Sequence, residues 1–207
     1  MIRQLSTMVA ATVLSAACAD GGDGVPSPAS APQLTAHLAI EDGRIVSLHG
    51  LKYRIDASDG FAVVGPKHRQ DAFNGAPFEI SLAAFVSDEA ALMVHAERVA
   101  DGSGASNYDN LPVADWPNHA FRSPGAQCVV IARADTEGEH DLEWLMANGF
   151  DPVGSLLFAQ YFASTDDYND EVVLSIIAHT SSCDDDRSYD DDIAALQSQF
   201  TVSAAAK

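Results

Sequence analysis

The sequence predicts a single α+β domain, in which two or more helices pack on a largely antiparallel sheet. Three observations lead to this prediction. Apolar and polar residues alternate through most of the first half, two segments of the second half have helical periodicity, and no linker or repeat divides residues 34–203.

Strand patterns dominate the first half of the domain. Asp42 and Gly43 form the first of two turns between apolar runs and supply the positive φ of a tight hairpin, and residues 58–60 form the second. Residues 91–99 fit either another strand or a helix capped by Ser87. The apolar runs are residues 34–40, 44–48, 51–55, 61–64 and 78–86.

The second half mixes helices with strands. Thr136 and Glu139 have the spacing of a capping box, and Gly149 stands where a helix ends, so one helix is predicted between them. A last helix is expected to start near Ser188. β-Branched and aromatic side chains predict strands at residues 128–131, 155–163 and 171–183.

The first 17 residues have the pattern of a secretory signal peptide. Arg3 precedes a short uncharged apolar stretch, and small residues follow it. The stretch is shorter than the roughly 20 residues that cross a bilayer, so we expect an export signal and not a membrane span.

Two processing sites compete at the end of this signal. Leu14-Ser15-Ala16-Ala17-Cys18 resembles the lipobox of bacterial lipoprotein precursors, and this resemblance implies that Cys18 becomes the lipidated first residue. Ala17-Cys18-Ala19 is also an A-x-A site, and cleavage there would release a soluble protein beginning at Asp20. We favour lipidation, with anchoring on the periplasmic or outer side of the cell envelope.

The composition divides the chain into four parts. Residues 18–33 contain no large apolar side chain, which is typical of a flexible tether, and residues 204–207 are expected to be a disordered tail. Between them, residues 34–203 are long enough for one domain with its own core. Residues 1–17 are the signal peptide.

The number of cysteines favours one disulfide. If Cys18 is acylated, Cys128 and Cys183 remain, and an exported protein meets an oxidising compartment. We therefore expect these two residues to pair.

The chain is strongly acidic. It has 11 Lys and Arg against 30 Asp and Glu, a net charge of −19. This charge excludes nucleic acid as a partner and is repelled by anionic membranes, so membrane contact would come through the lipid alone. Cations and basic proteins are the partners that it favours, although the acidity also serves solubility.

Acidic clusters raise the question of calcium. Carboxylate and amide oxygens are the ligands that Ca²⁺ prefers, but the richest turn lacks the glycine and distal glutamate of an EF-hand loop. No cofactor is expected beyond this weak calcium candidate. Its residues are Asp166, Asp167, Asn169, Asp170 and Glu171.

Residues 101–125 form the longest segment without a clear element. Long loops in compact domains are often functional, and aromatic residues beside an arginine are typical of recognition surfaces. Packing of some of these rings beneath the loop is the alternative. The candidate binding residues are Tyr108, Trp116, His119, Phe121 and Arg122.

Motifs of hydrolases, zinc proteases and phosphate-binding loops are absent from the sequence, so no catalytic residue is assigned. The favoured function is a non-catalytic envelope lipoprotein that binds a protein or small ligand or assists an assembly. An acidic inhibitor or immunity-like protein for a basic secreted enzyme or toxin is the second hypothesis. A hydrolase with an unrecognised site is the third.

Overall fold

A computed structural model describes residues 33–116, 119–184 and 186–205. About half of the chain is strand, arranged in two antiparallel sheets, and the described part has two α-helices of eight residues each. The protein is a β-sandwich, so the α+β prediction was wrong. The helices are too short to form a layer of their own, and the smaller sheet covers one face of the larger sheet instead.

The elements follow one another along the chain in a mainly β order. The first strands are β1 (Gln33–Leu34), β2 (Leu38–Glu41), β3 (Arg44–Ser47), β4 (Tyr53–Ala57), β5 (Ala62–Phe73), β6 (Ala76–Val86) and β7 (Ala90–Val99). They are followed by β8 (Val113–Trp116), β9 (His119–Arg122), β10 (Ala126–Ile131), a 3₁₀ turn (Arg133–Thr136), α1 (His140–Ala147), β11 (Gly154–Ser164), β12 (Asp170–His179), α2 (Asp190–Gln197) and β13 (Phe200–Ala204).

The small sheet has the order β1-β2-β3-β4-β13, and the large sheet has the order β5-β6-β7-β12-β11-β9-β8. Strand β10 pairs with the first half of β11, and β9 takes over the same edge at Phe162. The segment around residues 101–125 thus contributes a hairpin, β8 and β9, to the large sheet.

The main core lies between the two sheets. Leu38, Ile45 and Ile55 of the small sheet are fully buried against the large sheet. A second core covers the other face of the large sheet, where Leu145 of α1 and Phe150 pack on Leu82 and neighbouring side chains. Burial of each such side chain stabilises the folded state by about 1.5–3 kcal/mol. Both faces of the large sheet are covered, so its strands carry apolar side chains on both faces.

Two turns show which hairpins local sequence can specify. Asp42 and Gly43 both have positive φ, 51° and 78°, which confirms the predicted first hairpin. Asn74 and Gly75 form a second one between β5 and β6, with φ of 52° and 84°. This Asn-Gly pair is a strong hairpin signal that the sequence analysis missed.

The second predicted turn, at residues 58–60, does not form a hairpin. Strand β4 lies in the small sheet and β5 in the large one, so the chain changes sheets there. Strand β4 pairs with β3 on one side and on the other with β13, which follows it by about 150 residues.

The structure confirms some of the predictions for the helices and for residues 91–99 and corrects others. The strand alternative is right, since β7 spans Ala90–Val99. Helix α1 begins at His140 and not at Thr136, whose hydroxyl donates to the carbonyl of Arg133 at 2.8 Å inside the 3₁₀ turn. Gly149 has φ of 98° after the helix, as predicted, and α2 starts two residues after Ser188.

The predicted disulfide is present. Cys128 of β10 bonds to Cys183, which follows β12, with their Cα atoms 5.4 Å apart. Strand β10 lies at the edge of the large sheet, where it pairs with β11, and β12 lies on the other side of β11, so the bond ties this edge strand to the segment that follows β12.

Some sequence predictions concern residues at the ends of the chain. The signal peptide, Cys18 and almost all of the tether lie outside the described residues. At the other end, β13 runs through Ala204, and the amide of Ala205 donates to the carbonyl of Lys52 at 3.0 Å. None of the described helices combines the length and apolar composition that crossing a membrane requires.

Candidate functional site

A surface cleft of about 290 Å³ lies at the end of β11, beside the turn that leads to β12. The loop before β8, strand β9 and this turn form its walls. Four aromatic side chains line it: Tyr53, Tyr108, Phe162 and Tyr168. We call it the aromatic cleft.

The floor of the aromatic cleft is a ring pair. Tyr108 stacks on Phe162, with ring centroids 4.3 Å apart and planes inclined by 25°. Phe162 belongs to β11 and is buried, whereas Tyr108 comes from the loop and is half-buried. The sheet therefore holds the loop in place through this contact, and Tyr108 keeps part of its surface towards solvent.

Asp109 is the polar centre of the aromatic cleft. It accepts a hydrogen bond of 2.5 Å from the hydroxyl of Tyr168 and lies 3.5 Å from a guanidinium nitrogen of Arg122. Arg122 also donates to the carbonyl of Leu111 at 3.2 Å. The hydrogen bond to Asp109 raises the pKa of Tyr168, because it stabilises the phenol against ionisation.

The charge balance of the aromatic cleft is negative. The guanidinium of Arg122 is offset by Asp109, and the second carboxylate that lines the cleft, Asp166, is exposed. Aromatic rings with an uncompensated carboxylate attract cations through the ring quadrupole and the charge. The cleft is therefore suited to a cationic group.

The structure separates the five candidate binding residues into two sets. Tyr108 and Arg122 line the aromatic cleft. Trp116 and Phe121 are each 1% exposed and pack around Tyr161 in the core between the sheets, at centroid distances of 4.9 and 6.4 Å.

His119 and Tyr53 connect these two sets. The ring of His119 meets that of Tyr53 edge-on at 5.2 Å, and Tyr53 lines the cleft. Tyr53, Phe162 and Tyr168 carry no signal in the sequence that marks them as binding residues. They come from β4, β11 and the turn after β11, and only the fold brings them to Tyr108 and Arg122.

The five calcium candidates point in different directions. Asp170 accepts two hydrogen bonds from Arg98 and one from the amide of Gly50, and Glu171 lies on the opposite face of β12. Asp167 accepts hydrogen bonds from Thr165 and the amide of Asn169 within the turn. Among the described residues no group of three or more His, Cys, Asp or Glu side chains is already arranged for a metal ion.

A second polar cluster lies between helix α1 and the large sheet. Arg69 of β5 donates to both carboxylate oxygens of Asp141 in α1, at 3.1 and 3.2 Å, and also to Asp71. His95 of β7 donates through Nδ1 to Glu97 at 3.1 Å, and its Nε2 lies 3.7 Å from Asp141. Glu97 faces the buried Glu171 directly across the strand pair.

This cluster attaches the helix to the sheet. Burial by itself lowers the pKa of His95, but the carboxylates of Asp141 and Glu97 outweigh it and raise the pKa above its usual value. The imidazole is 12% exposed and both of its nitrogens face carboxylates, so the arrangement serves to hold α1 in place.

A further cleft, of about 340 Å³, lies at the carboxyl end of α1. Asp88 is the one charged residue that lines it in the described structure, and no aromatic ring does. The aromatic cleft, with its four rings and three charged side chains, has the greater capacity for specific recognition.

Comparisons with protein-family models, with curated proteins and with solved structures each found no match to this chain.

Proposed function

We propose that this chain is an exported binding protein of the cell envelope, anchored through lipid at Cys18, whose aromatic cleft receives a basic segment of a partner protein. The observation that carries the proposal is the aromatic cleft itself, which is lined by four aromatic rings together with the carboxylates of Asp109 and Asp166. The partner is an envelope protein with exposed arginine or lysine side chains.

Three features support export. The first 17 residues have the composition of a signal peptide, and residues 14–18 resemble a lipobox. The Cys128–Cys183 disulfide is typical of proteins that fold in an oxidising compartment. Residues 18–33 have the composition of a tether, which would hold the sandwich away from the bilayer.

The charge of the whole chain supports a basic partner. A net charge of −19 attracts a cationic segment over long range and accelerates its encounter with the protein. The aromatic cleft then supplies the short-range contacts. A guanidinium stacks on tyrosine rings and pairs with carboxylates better than an ammonium does, so arginine is the preferred side chain.

The peptide test uses the full chain and two peptides of equal length, hexa-arginine and hexa-glutamate, titrated by calorimetry. We expect binding of hexa-arginine only. Tyr108→Ala is expected to weaken it by about threefold to thirtyfold, as a cation–π contact of roughly 0.5–2 kcal/mol predicts. Tyr108→Phe retains the ring and is expected to bind as the unsubstituted chain does.

A charge-matched pair separates the aromatic cleft from the general acidity. Asp166→Asn and Asp59→Asn each remove one exposed carboxylate, but Asp59 lies in the turn between β4 and β5, outside the cleft. The proposal predicts that Asp166→Asn weakens hexa-arginine binding more than Asp59→Asn does. Equal effects of the two, together with no effect of Tyr108→Ala, would assign the binding to non-specific charge.

The lipid anchor is tested separately by Cys18→Ala in a bacterial host. We expect the unsubstituted chain in the membrane fraction and the variant in the soluble envelope fraction. A Cys18→Ala chain that stays in the membrane with an unchanged processed mass would refute lipidation.

A further inference from the structure

Strand β10 forms an open edge of the large sheet. It pairs with β11 along all of its residues, from Ala126 to Ile131. The hairpin of β8 and β9 meets β11 further along, at Phe162. In the described part of the chain, no strand therefore lies on the side of β10 that faces away from β11.

The hydrogen bonds of β11 show which backbone groups of β10 face outwards. The amide of Thr180 donates to the carbonyl of Ser155 at 3.0 Å, so the backbone groups of Ser155 point towards β12. Successive residues of a strand point to opposite sides, so the groups of Leu156 point towards β10 and bond with Val129, which lies directly opposite. The amides and carbonyls of the residues before and after Val129 thus point away from β11.

These two outward residues are Cys128 and Val130. Among the described residues, no backbone hydrogen bond joins their amides or carbonyls to a neighbouring segment. The side chain of Val130 is 69% exposed, and the disulfide from Cys128 to Cys183 holds the strand in place. Strand β10 thus presents a fixed row of donors and acceptors, which is what an added strand requires.

The opposite edge of the large sheet is protected against such pairing. Strand β5 carries Pro66, Lys67 and Arg69, and natural edge strands use proline and charged side chains to prevent the addition of another strand. Strand β10 reads Ala-Gln-Cys-Val-Val-Ile and has neither a charge nor a proline. The two edges therefore differ in their capacity to accept a strand.

The surroundings of β10 define which side chains suit an added strand. On one face of the sheet, Val129 and Ile131 are half-buried apolar residues at the border of the core beneath α1. On the face of the disulfide, the exposed Asp184 directly follows Cys183. The side chains of a strand alternate between the two faces, so apolar residues suit the first face and basic residues the second.

We infer that β10 accepts an extended segment of a partner protein, in which apolar and basic residues alternate, as a further strand of the large sheet. The backbone of the segment bonds to the outward groups of Cys128 and Val130. Its apolar side chains pack on Val129 and Ile131, and its basic side chains face Asp184. It runs antiparallel to β10, as the described strand pairs of the large sheet all do.

This surface goes beyond the aromatic cleft, since the residues that line the cleft include none of β10. The charge of the chain selects a partner protein over a second copy. Two chains that paired through β10 would each bring a net charge of −19 and their own Asp184 to the contact, and like charges repel. A basic segment meets the same charges with attraction.

The test is residue-resolved amide hydrogen exchange of the full chain, with and without a blocked Lys-Val-Lys-Val-Lys-Val peptide. We expect the amides of Cys128 and Val130 to exchange rapidly in the free chain and to slow at least about tenfold with saturating peptide. The amide of Val129 bonds to β11 and is expected to exchange slowly in both. Absence of peptide binding at millimolar concentration, or unchanged exchange at Cys128 and Val130, would overturn the inference.

Two N-methylated versions of the peptide separate strand addition from attraction by charge. Methylation of the three lysine amides, or of the three valine amides, leaves the charge unchanged and blocks the donors along one edge of the extended peptide. Strand addition predicts that one version loses binding and the other retains it, because only one edge pairs with β10. Equal binding of both versions would assign the binding to general charge and reject strand addition.

A pair of variants at Val130 tests the same edge from the side of the protein. Val130→Pro removes an outward amide but no bond to β11, and it is expected to weaken peptide binding at least about fivefold. Val130→Thr retains the amide and is expected to bind about as tightly as the unsubstituted chain. Circular dichroism verifies that both fold, and equal binding by the two folded variants would contradict the inference. Protection of the Val130 amide that rises with protein concentration, without peptide, would assign the edge to a second copy and also overturn it.

Discussion

Arg98 holds Asp170 by two parallel hydrogen bonds, of 2.6 Å from Nε and 2.9 Å from a terminal nitrogen. The two residues are directly opposite each other in the β7–β12 pair. Asp170 also accepts from the amide of Gly50, in the loop between β3 and β4. This one carboxylate therefore links the two central strands of the large sheet to the small sheet.

Asp170→Asn is expected to destabilise the protein by about 1.5–3 kcal/mol, the range for hydrogen bonds to charged groups. The effect is at the lower end, because the Arg98 side chain is 47% exposed and solvent screens its charge. Urea unfolding measures it, with Asp59→Asn, which removes an exposed carboxylate of the turn between β4 and β5, as the control. Equal stabilities of the two variants would contradict the link.

The same contact predicts a response to acid. Burial alone would raise the pKa of Asp170, but the hydrogen bonds from Arg98 and Gly50 lower it below its ordinary value of 3.8. A depressed carboxyl pKa contributes stability that is present above the ordinary value and is lost as the pH falls through the folded-state value. We expect the difference between Asp170→Asn and the unsubstituted chain to shrink below pH 4, as measured by unfolding at graded pH.

His95 predicts the opposite pH dependence. Its pKa is raised, so its contribution is present below the ordinary value of 6.5 and is lost as the pH rises through the folded-state value. The charged groups that face it are Asp141, Glu97 and Arg69, with Glu171 beside Glu97.

Unfolding of His95→Gln and the unsubstituted chain at pH 6 and pH 9 tests this prediction. The stability difference is expected to be larger at pH 6. His140→Gln, an exposed substitution at the first residue of α1, removes no contact of this cluster and serves as the control. A difference that grows towards pH 9 would show that His95 is not held by the carboxylates.

The Cys128–Cys183 disulfide closes a separation of 55 residues. On the chain-entropy model such a loop contributes about 4 kcal/mol. The double variant Cys128→Ser/Cys183→Ser is expected to lose about that free energy of unfolding, measured in urea. Cys18→Ser under the same conditions is the control, and a loss below about 1 kcal/mol would mean that the bond constrains little of the unfolded chain.

Trp116 packs in the core and Tyr108 lines the aromatic cleft, so their substitutions are expected to differ in their cost to stability. Trp116 is 1% exposed between the sheets, so Trp116→Ala is expected to cost about 3–5 kcal/mol. Tyr108→Ala removes a half-buried stacking contact and is expected to cost no more than about 2 kcal/mol. Thermal or urea unfolding compares the stabilities of the two variants. A larger loss of stability in Tyr108→Ala than in Trp116→Ala would show that the loop contact, and not Trp116, stabilises this region.

Local sequence patterns predicted many of the strands but not their partners. The alternation through residues 78–86 and the turn at Asp42 and Gly43 both correspond to real elements. The pairing of β4 with β13 joins segments about 150 residues apart, and nothing in either segment specifies the other. For the same reason, the turn at residues 58–60 was assigned to a hairpin.

The candidate sites divide in a similar way. Tyr108 and Arg122 were predictable because aromatic and arginine side chains stand out in a polar loop. Phe162 has no such signal, since it is one apolar residue of an ordinary strand and reaches Tyr108 only through the sheet.

The sequence by itself determined the charge, the cysteine pair and the composition of the N-terminal segment, because these depend on residue types and local order alone. Only the tertiary structure decided that the domain is a sandwich. The two helices are just eight residues long, and a second sheet covers the large sheet in their place, which depends on strand pairing between distant segments. The placement of the aromatic cleft followed from the strand pairing, since antiparallel strands bring together side chains that are too far apart along the chain for a local sequence pattern to connect.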